Sequence, residues 1–450
     1  MNKYILLSLV AIFGLLSCND NDKVENPVEP NFTIENLSEK ESVAIGESVV
    51  LKAIIDETID SKDYEYVWKV NNKTIQDESV VNTEDLTFTF TPTQTGKYKI
   101  TFELDYYNDK YATEVDITAL GKFTNGVYLL DEGRMGEHGS LHFITSDNEF
   151  IDDPYYEVNK KYLGDVTQDL FVSNGQFYII SQNGSNDDQM EGLLTVANAE
   201  TLERIVSFQS ELSRLSMPTN IVVLNEQNIF IRDNRGVYRF NLDSKDLSYI
   251  SGTAQSNKMR MTVVNGKVFA TAGNNLLVLE ADKNEVSQTI PFKEKVSSVI
   301  AAYDGNLWVS VGSNTIARVN AEDLSIMDSK QITLGSVSSK FAITPSISAY
   351  KEYIYYSGTN PKIYMFNYET EENILAANLN DHNSDDEVYQ NVQVNPKTGD
   401  AYMTSLKSYS EYKLNHVTIF SFDNGKLKFK DAHKDHLSFP AGVFFTDSFN

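Results

Sequence analysis

From residue 163 onward one phrase keeps returning: an apolar run, a tight turn carrying Asn-Gly or Asp-Gly, and a second apolar run. It reads Val166–Val172, Asn174-Gly175, Phe177–Ile180, then Met261–Val264, Asn265-Gly266, Val268–Thr271, then Val299–Ala302, Asp304-Gly305, Leu307–Ser310. A third apolar segment follows each time, at Gly192–Val196, Asn275–Leu279 and Thr315–Val319. Asn-Gly and Asp-Gly supply the positive φ that two-residue hairpin turns demand, so the repeated unit is an antiparallel meander. First strands are expected near residues 163, 217, 258, 296, 344, 388 and 436. Four strands at intervals of this kind are the spacing of β-propeller blades.

Closure is legible at the two ends of the repeat. Phe439–Thr446 reads as a first strand with no blade after it, and Gly126–Leu130 as a second strand with no first strand before it. Joining them completes a seventh blade and covers both sheet edges. Residues 31–120 have a shorter rhythm, with period-two strands at Ser48–Ala53, Tyr64–Val70, Leu86–Phe90, Gly96–Phe102 and Thr113–Ile117. Such a set predicts a β-sandwich with Trp68 in its core. The run Phe90–Phe102 resembles the late hairpin of immunoglobulin-like domains of the PKD type, which implies Tyr98 packed against Trp68 and a spacer role. The predicted fold is all-β: an N-terminal immunoglobulin-like (PKD-type) sandwich over 31–120, then a seven-bladed β-propeller over 121–450 closed by the C-terminal strand.

Residues 1–17 have the order of a secretory signal, with Lys3 before an apolar stretch from Ile5 to Leu16 that is too short to span a bilayer. Leu15-Leu16-Ser17-Cys18 resembles the bacterial lipobox, which makes Cys18 the expected lipid attachment. Residues 18–30 read as an acidic tether. Asn19-Asp20-Asn21-Asp22 resembles the surface-export signal of Bacteroidota lipoproteins, placing the protein on the outer face of the outer membrane; an ordinary linker facing the periplasm is the alternative. Cys18 is the only cysteine, so neither an intrachain disulfide nor a Cys-rich metal site is available. A formal charge of -26 argues against nucleic acid as a partner.

The stretch Asn125-Gly-Val-Tyr-Leu-Leu-Asp131-Glu132-Gly133-Arg134-Met-Gly136, followed by Gly139-Ser140-Leu141, resembles the opening of YncE-like propellers in outer-membrane lipoproteins of the Bacteroidota, with Asp131 where Asn is usual. Leu163–Gln168 is a second phrase similar to that family. Its relatives include BtuG-type lipoproteins that capture cobalamin above a TonB-dependent transporter. The resemblance implies a non-enzymatic surface protein that captures a corrinoid or other metal chelate for such a transporter, with no cofactor. The alternative is a protein- or glycan-binding scaffold in a surface complex.

Chemical motifs are sparse. Of the six histidines His433 and His436 are the closest in sequence, in polar surroundings without a zinc-protease frame, and no metal site is expected. No Gly-x-Ser-x-Gly elbow occurs. The acidic loops 183–188 and 381–387 lack the spacing of a calcium loop and read as solvated. Arginine is more telling, because it holds carboxylate or phosphate by paired hydrogen bonds. Five of the eight, Arg134, Arg214, Arg232, Arg235 and Arg260, fall in loops expected on one face of the ring. With Tyr162, Tyr389, Tyr409 and Phe439 they are the candidate ligand-binding residues. Surface pairing with neighbouring acids is the competing reading of the arginines.

Overall fold

The computed structural model describes residues 29–446 except 76, 78, 339–341, 359 and 383–386. The leader, Cys18 and nearly all of the tether therefore lie outside the described residues. Contacts divide the chain into two units, one built on Ser48–Thr91 and Lys97–Thr118 with the residues up to Glu41, the other on Ala119–Asn450 with the short loops Ser42–Glu47 and Pro92–Gly96.

In the first unit, Phe32–Asn36, Val49–Ile55, Thr87–Phe90 and Val81–Asn82 form one sheet in that order. A second sheet contains Gly96–Tyr106 hydrogen bonded to Tyr64–Val70. Val49, Leu51 and Ala53 alternate inward along their strand, the period-two pattern of a sheet with one covered face. Trp68 is buried and joins the two sheets, stacked on Phe88 at 5.4 Å and edge-on to Phe102 at 5.0 Å. Tyr98, expected against Trp68, has its ring 5.0 Å from Phe90.

In the second unit, sheets of four strands follow one another along the chain, the arrangement of a β-propeller. The first strands begin at 165, 220, 262, 296, 348, 387 and 440, within four residues of the positions read from the repeat. The Asn-Gly turns behave as their chemistry dictates: φ is 49° and 70° at Asn174 and Gly175, and 50° and 69° at Asn265 and Gly266. The Asp304-Gly305 turn differs, with positive φ only at Gly305 (80°). Its Asp304 carboxylate instead accepts from the Asn306 N–H at 3.2 Å, which holds a longer loop.

Apolar clusters fill the space between consecutive sheets. Ile180 and Leu194 meet Ile221 and Phe240, while Val222 and Phe230 meet Val268 and Leu277. A sheet covered on both faces needs no polar alternation, and the strand Asn228–Asp233 is buried at every position. Pro440–Phe445 pairs antiparallel with Gly126–Asp131, from Val127 opposite Phe445 to Asp131 opposite Pro440. The Thr446 hydroxyl extends this ladder, accepting from the Gly126 N–H and donating to its carbonyl, both at 2.9 Å. Val443 of the same strand exchanges two hydrogen bonds with the Gln393 amide, which stands in for a neighbouring backbone.

Candidate functional site

The acidic pair that ends the strand Gly126–Asp131 sends its two side chains to different tasks. Asp131 is buried and holds His142 Nε2 at 3.0 Å and the Ser438 N–H at 2.5 Å. His142 Nδ1 lies 2.8 Å from Asp152 Oδ1. Burial alone would lower the pKa of this imidazole, but the two carboxylates outweigh it and push it up to about 10. Glu132 is fixed by its backbone: its N–H donates to Phe439 O at 2.8 Å, and its carbonyl accepts from the Thr167 N–H at 3.1 Å.

The Glu132 carboxylate accepts from the Tyr389 hydroxyl at 3.1 Å and from the Gln168 side chain, and it faces the Lys258 ammonium. Burial pushes Glu132 up to about 7, against the pull of Lys258 and of the two hydrogen bonds. Lys258 is lowered, first by desolvation, with Arg232 acting in the same direction and Glu132 against it. Its side chain is nevertheless exposed, and among the described residues its ammonium makes no hydrogen bond or ion pair. A charge that water reaches but protein desolvates sits in a recess rather than on a convex surface.

Local strain shapes this recess. Val166, a buried β-branched residue, is held at φ 53° at the first of two register shifts of the strand Asp165–Ser173. Such a conformation is costly for a β-branched side chain, and the irregularity immediately precedes Thr167 and Gln168, the two residues bonded to Glu132. The glycines of the 133–139 loop are required by close approach. At Gly133 (φ 71°) a Cβ would come 2.2 Å from His138 O, and at Gly139 one would come 2.2 Å from Thr167 Oγ1.

Aromatic side chains gather beside the carboxylate. Phe439, itself at φ 54°, stacks on Tyr412 at 5.1 Å and contacts Tyr389 and Tyr409 at 5.8 and 6.0 Å. Arg134 lies over Tyr412 at 5.8 Å, and Tyr409 is 64% exposed. Tyr162 lies between His138 at 3.7 Å and Tyr156 at 4.2 Å, all three rings near parallel. Four of the candidate residues, Arg134, Tyr389, Tyr409 and Phe439, therefore share one cluster.

The remaining arginines do not form the free cationic crescent expected from their loops. Arg214 donates to the Leu247 carbonyl, and Arg235 to Arg214 O at 3.3 Å. Arg232 lies in a strand rather than a loop, is buried, and donates to Thr219 Oγ1 at 3.1 Å and Ser256 O at 3.2 Å. Arg260 is paired with Asp169 at 2.7 Å. Each guanidinium was tied down by a backbone carbonyl or an acid distant in sequence, which spacing does not reveal. Glu132, Lys258, Gln168 and Tyr412 escaped the reading for the same reason, although Glu132 stands in the quoted opening motif.

Of the histidine pair, Phe150 packs on His436 at 4.3 Å and on His433 at 5.6 Å. Among the described residues no group of three metal-ligating side chains occurs. In the loop 183–188, Asn183 and Asn186 donate to buried Asp165, so they serve the fold. Of the loop 381–387, residues 383–386 lie outside the described residues.

A family described as a domain of unknown function, DUF5074, matches residues 125–446. Among curated proteins none is significantly similar in sequence. A quinonprotein alcohol dehydrogenase-like protein from Bacteroides thetaiotaomicron aligns at 17% identity and a TM-score of 0.56, over 93% of this chain and 99% of its own. That likeness speaks to the fold. The WD40 domain of Neurospora crassa Pan2, at 10% identity and a TM-score of 0.38 over 62% of this chain and 81% of its own, is too distant to carry an argument.

Proposed function

We propose a ligand-capturing role for this chain, which belongs to the DUF5074 family of domains of unknown function: a small molecule is held, without turnover, over the recess of Glu132 and Lys258. The observation that carries this reading is Lys258, a desolvated cation without a hydrogen-bond partner among the described residues, beside a wall of aromatic rings with Tyr409 exposed. A cation so placed stabilises an acceptor or anionic group of a ligand, while the rings cover its flat face. We read the four-stranded sheets as seven blades of one closed ring and the first unit as an immunoglobulin-like domain of the PKD type. The YncE-like resemblance then supports a corrinoid or other metal chelate as the ligand and a TonB-dependent transporter as the recipient. Lipidation of Cys18 would hold the protein at the outer membrane, exposed on the cell surface.

Titration of the soluble form with cobalamin, cobinamide, haem and ferric siderophores tests the ligand class, and Lys258→Ala tests the site. Loss of one charge-assisted contact of about 1.5–3 kcal/mol weakens binding ten-fold or more. Silence across the panel removes the capture reading. The aromatic wall beside a carboxylate also suits a sugar ring, so binding to oligosaccharides but not to the chelates selects the glycan-scaffold reading.

A further inference from the structure

A separate cavity lies in the same unit. It has a volume of about 320 Å3 and is walled by Leu170, Ile347, Pro345, Val443 and Phe444, with Arg260 at its edge. On three strands or strand entries the Glu132 recess uses earlier residues (Gln168, Phe439, Tyr389), and this cavity uses later ones (Leu170, Val443, Val392). The two sites thus occupy successive levels of shared strands. The volume falls within the range of small-molecule sites, which are mostly apolar with a few fixed polar groups.

Arg260 is the polar group that matters here. Its Nε donates to Asp169 Oδ1 at 2.7 Å, and its guanidinium carbon lies 4.2 Å from the centre of the Phe444 ring. Nη2 is buried and has no hydrogen-bond partner among the described residues, packed where Gly442 leaves room: a Cβ there would stand 2.2 Å away. Among the described residues Nη1 has no hydrogen-bond partner either, and it is not among the sealed atoms, so it is the donor left for the cavity. Asp169, itself buried, already balances the guanidinium charge. A second carboxylate would crowd two anions onto one cation inside a chain of charge -26, whereas an uncharged carbonyl gains the hydrogen bond without that repulsion.

We propose that this cavity binds a small neutral molecule with an apolar body and a single carbonyl oxygen, received by Arg260 Nη1. The site does not depend on the capture reading of the Glu132 recess. Saturation-transfer NMR with 2-octanone and with octanoate, on wild type and on two cavity-filling variants, tests it. Ala349→Leu fills the wall, and Ala301→Trp fills it from an exposed position that tolerates bulk. The expected result is transfer to 2-octanone, at least ten-fold weaker binding of octanoate, and loss of transfer in whichever filling variant keeps the wild-type circular dichroism. Absence of ketone binding, or its survival in a folded filled variant, overturns the site. Octanoate binding as tightly as the ketone overturns the neutral-ligand assignment. Unchanged ketone binding in Lys258→Ala keeps this result distinct from the fate of the other recess.

Discussion

Replacing His142 by Gln removes the cation held between Asp131 and Asp152 and gives a pH signature that can be worked out in advance. The imidazole moves from about 6.5 in the unfolded chain to about 10 in the fold. Because the folded value is the higher one, the stabilisation is fully present below about pH 6.5 and is lost as the pH rises toward 10. At about 1.4 kcal/mol for each unit, the proton contributes on the order of 5 kcal/mol at low pH. In the variant that slope vanishes, and buried Asp131 keeps only the Ser438 N–H, so stability at pH 6 falls by about 3–5 kcal/mol. Urea unfolding followed by tryptophan fluorescence at pH 6, 7.5, 9 and 10 measures both effects. The two tryptophans sit one in each unit, and Trp68→Phe leaves Trp308 to report the propeller. Parallel decline of wild type and variant over this range would refute the argument, since the lost proton would then belong to other groups.

Gly442→Ala pushes a methyl into Arg260 Nη2 and should cost about 1–3 kcal/mol, read as a lower urea midpoint at unchanged m; a neutral effect would show that the guanidinium shifts freely. For an anionic ligand at the Glu132 recess, affinity should rise as the pH falls through about 7, because protonating Glu132 leaves Lys258 uncompensated; Glu132→Gln should flatten that dependence in titrations from pH 6 to 8. Cys18→Ala should yield protein that partitions into the aqueous phase of a detergent extraction, and labelling with a fatty-acid analogue should disappear with it.

The repeat was the part of this chain most open to reading, because its turns are local chemistry: Asn174-Gly175 and Asn265-Gly266 accept the positive φ that a two-residue hairpin demands. First-strand positions followed to within four residues. Asp304-Gly305 strayed because an Asp side chain can cap the following backbone instead. The recess was legible only in its aromatic half. Tyr389, Tyr409 and Phe439 are close in the fold, but the charged half depends on partners far apart in sequence, Glu132 with Lys258, just as Arg260 beside the separate cavity depends on Asp169. Arginine in a loop says that a cation is near the surface; it does not say which carbonyl or acid will claim it. Arg214 and Arg235, claimed by backbone carbonyls, carry that lesson most plainly.

The pairing of Gly126–Asp131 with Pro440–Phe445 sets the timing of folding. The Gly126 N–H must wait for a hydroxyl 320 positions later, so during synthesis this sheet lacks its partner strand until residues 440–446 have left the ribosome. Contacts of such sequence separation are slow to form and leave strand edges bare in the meantime. This sheet is therefore completed late, and loss of Pro440–Phe445 would leave the hairpin of Gly126–Asp131 in place yet uncover Leu129 and Tyr128, which pack in clusters with Val443 and Phe444.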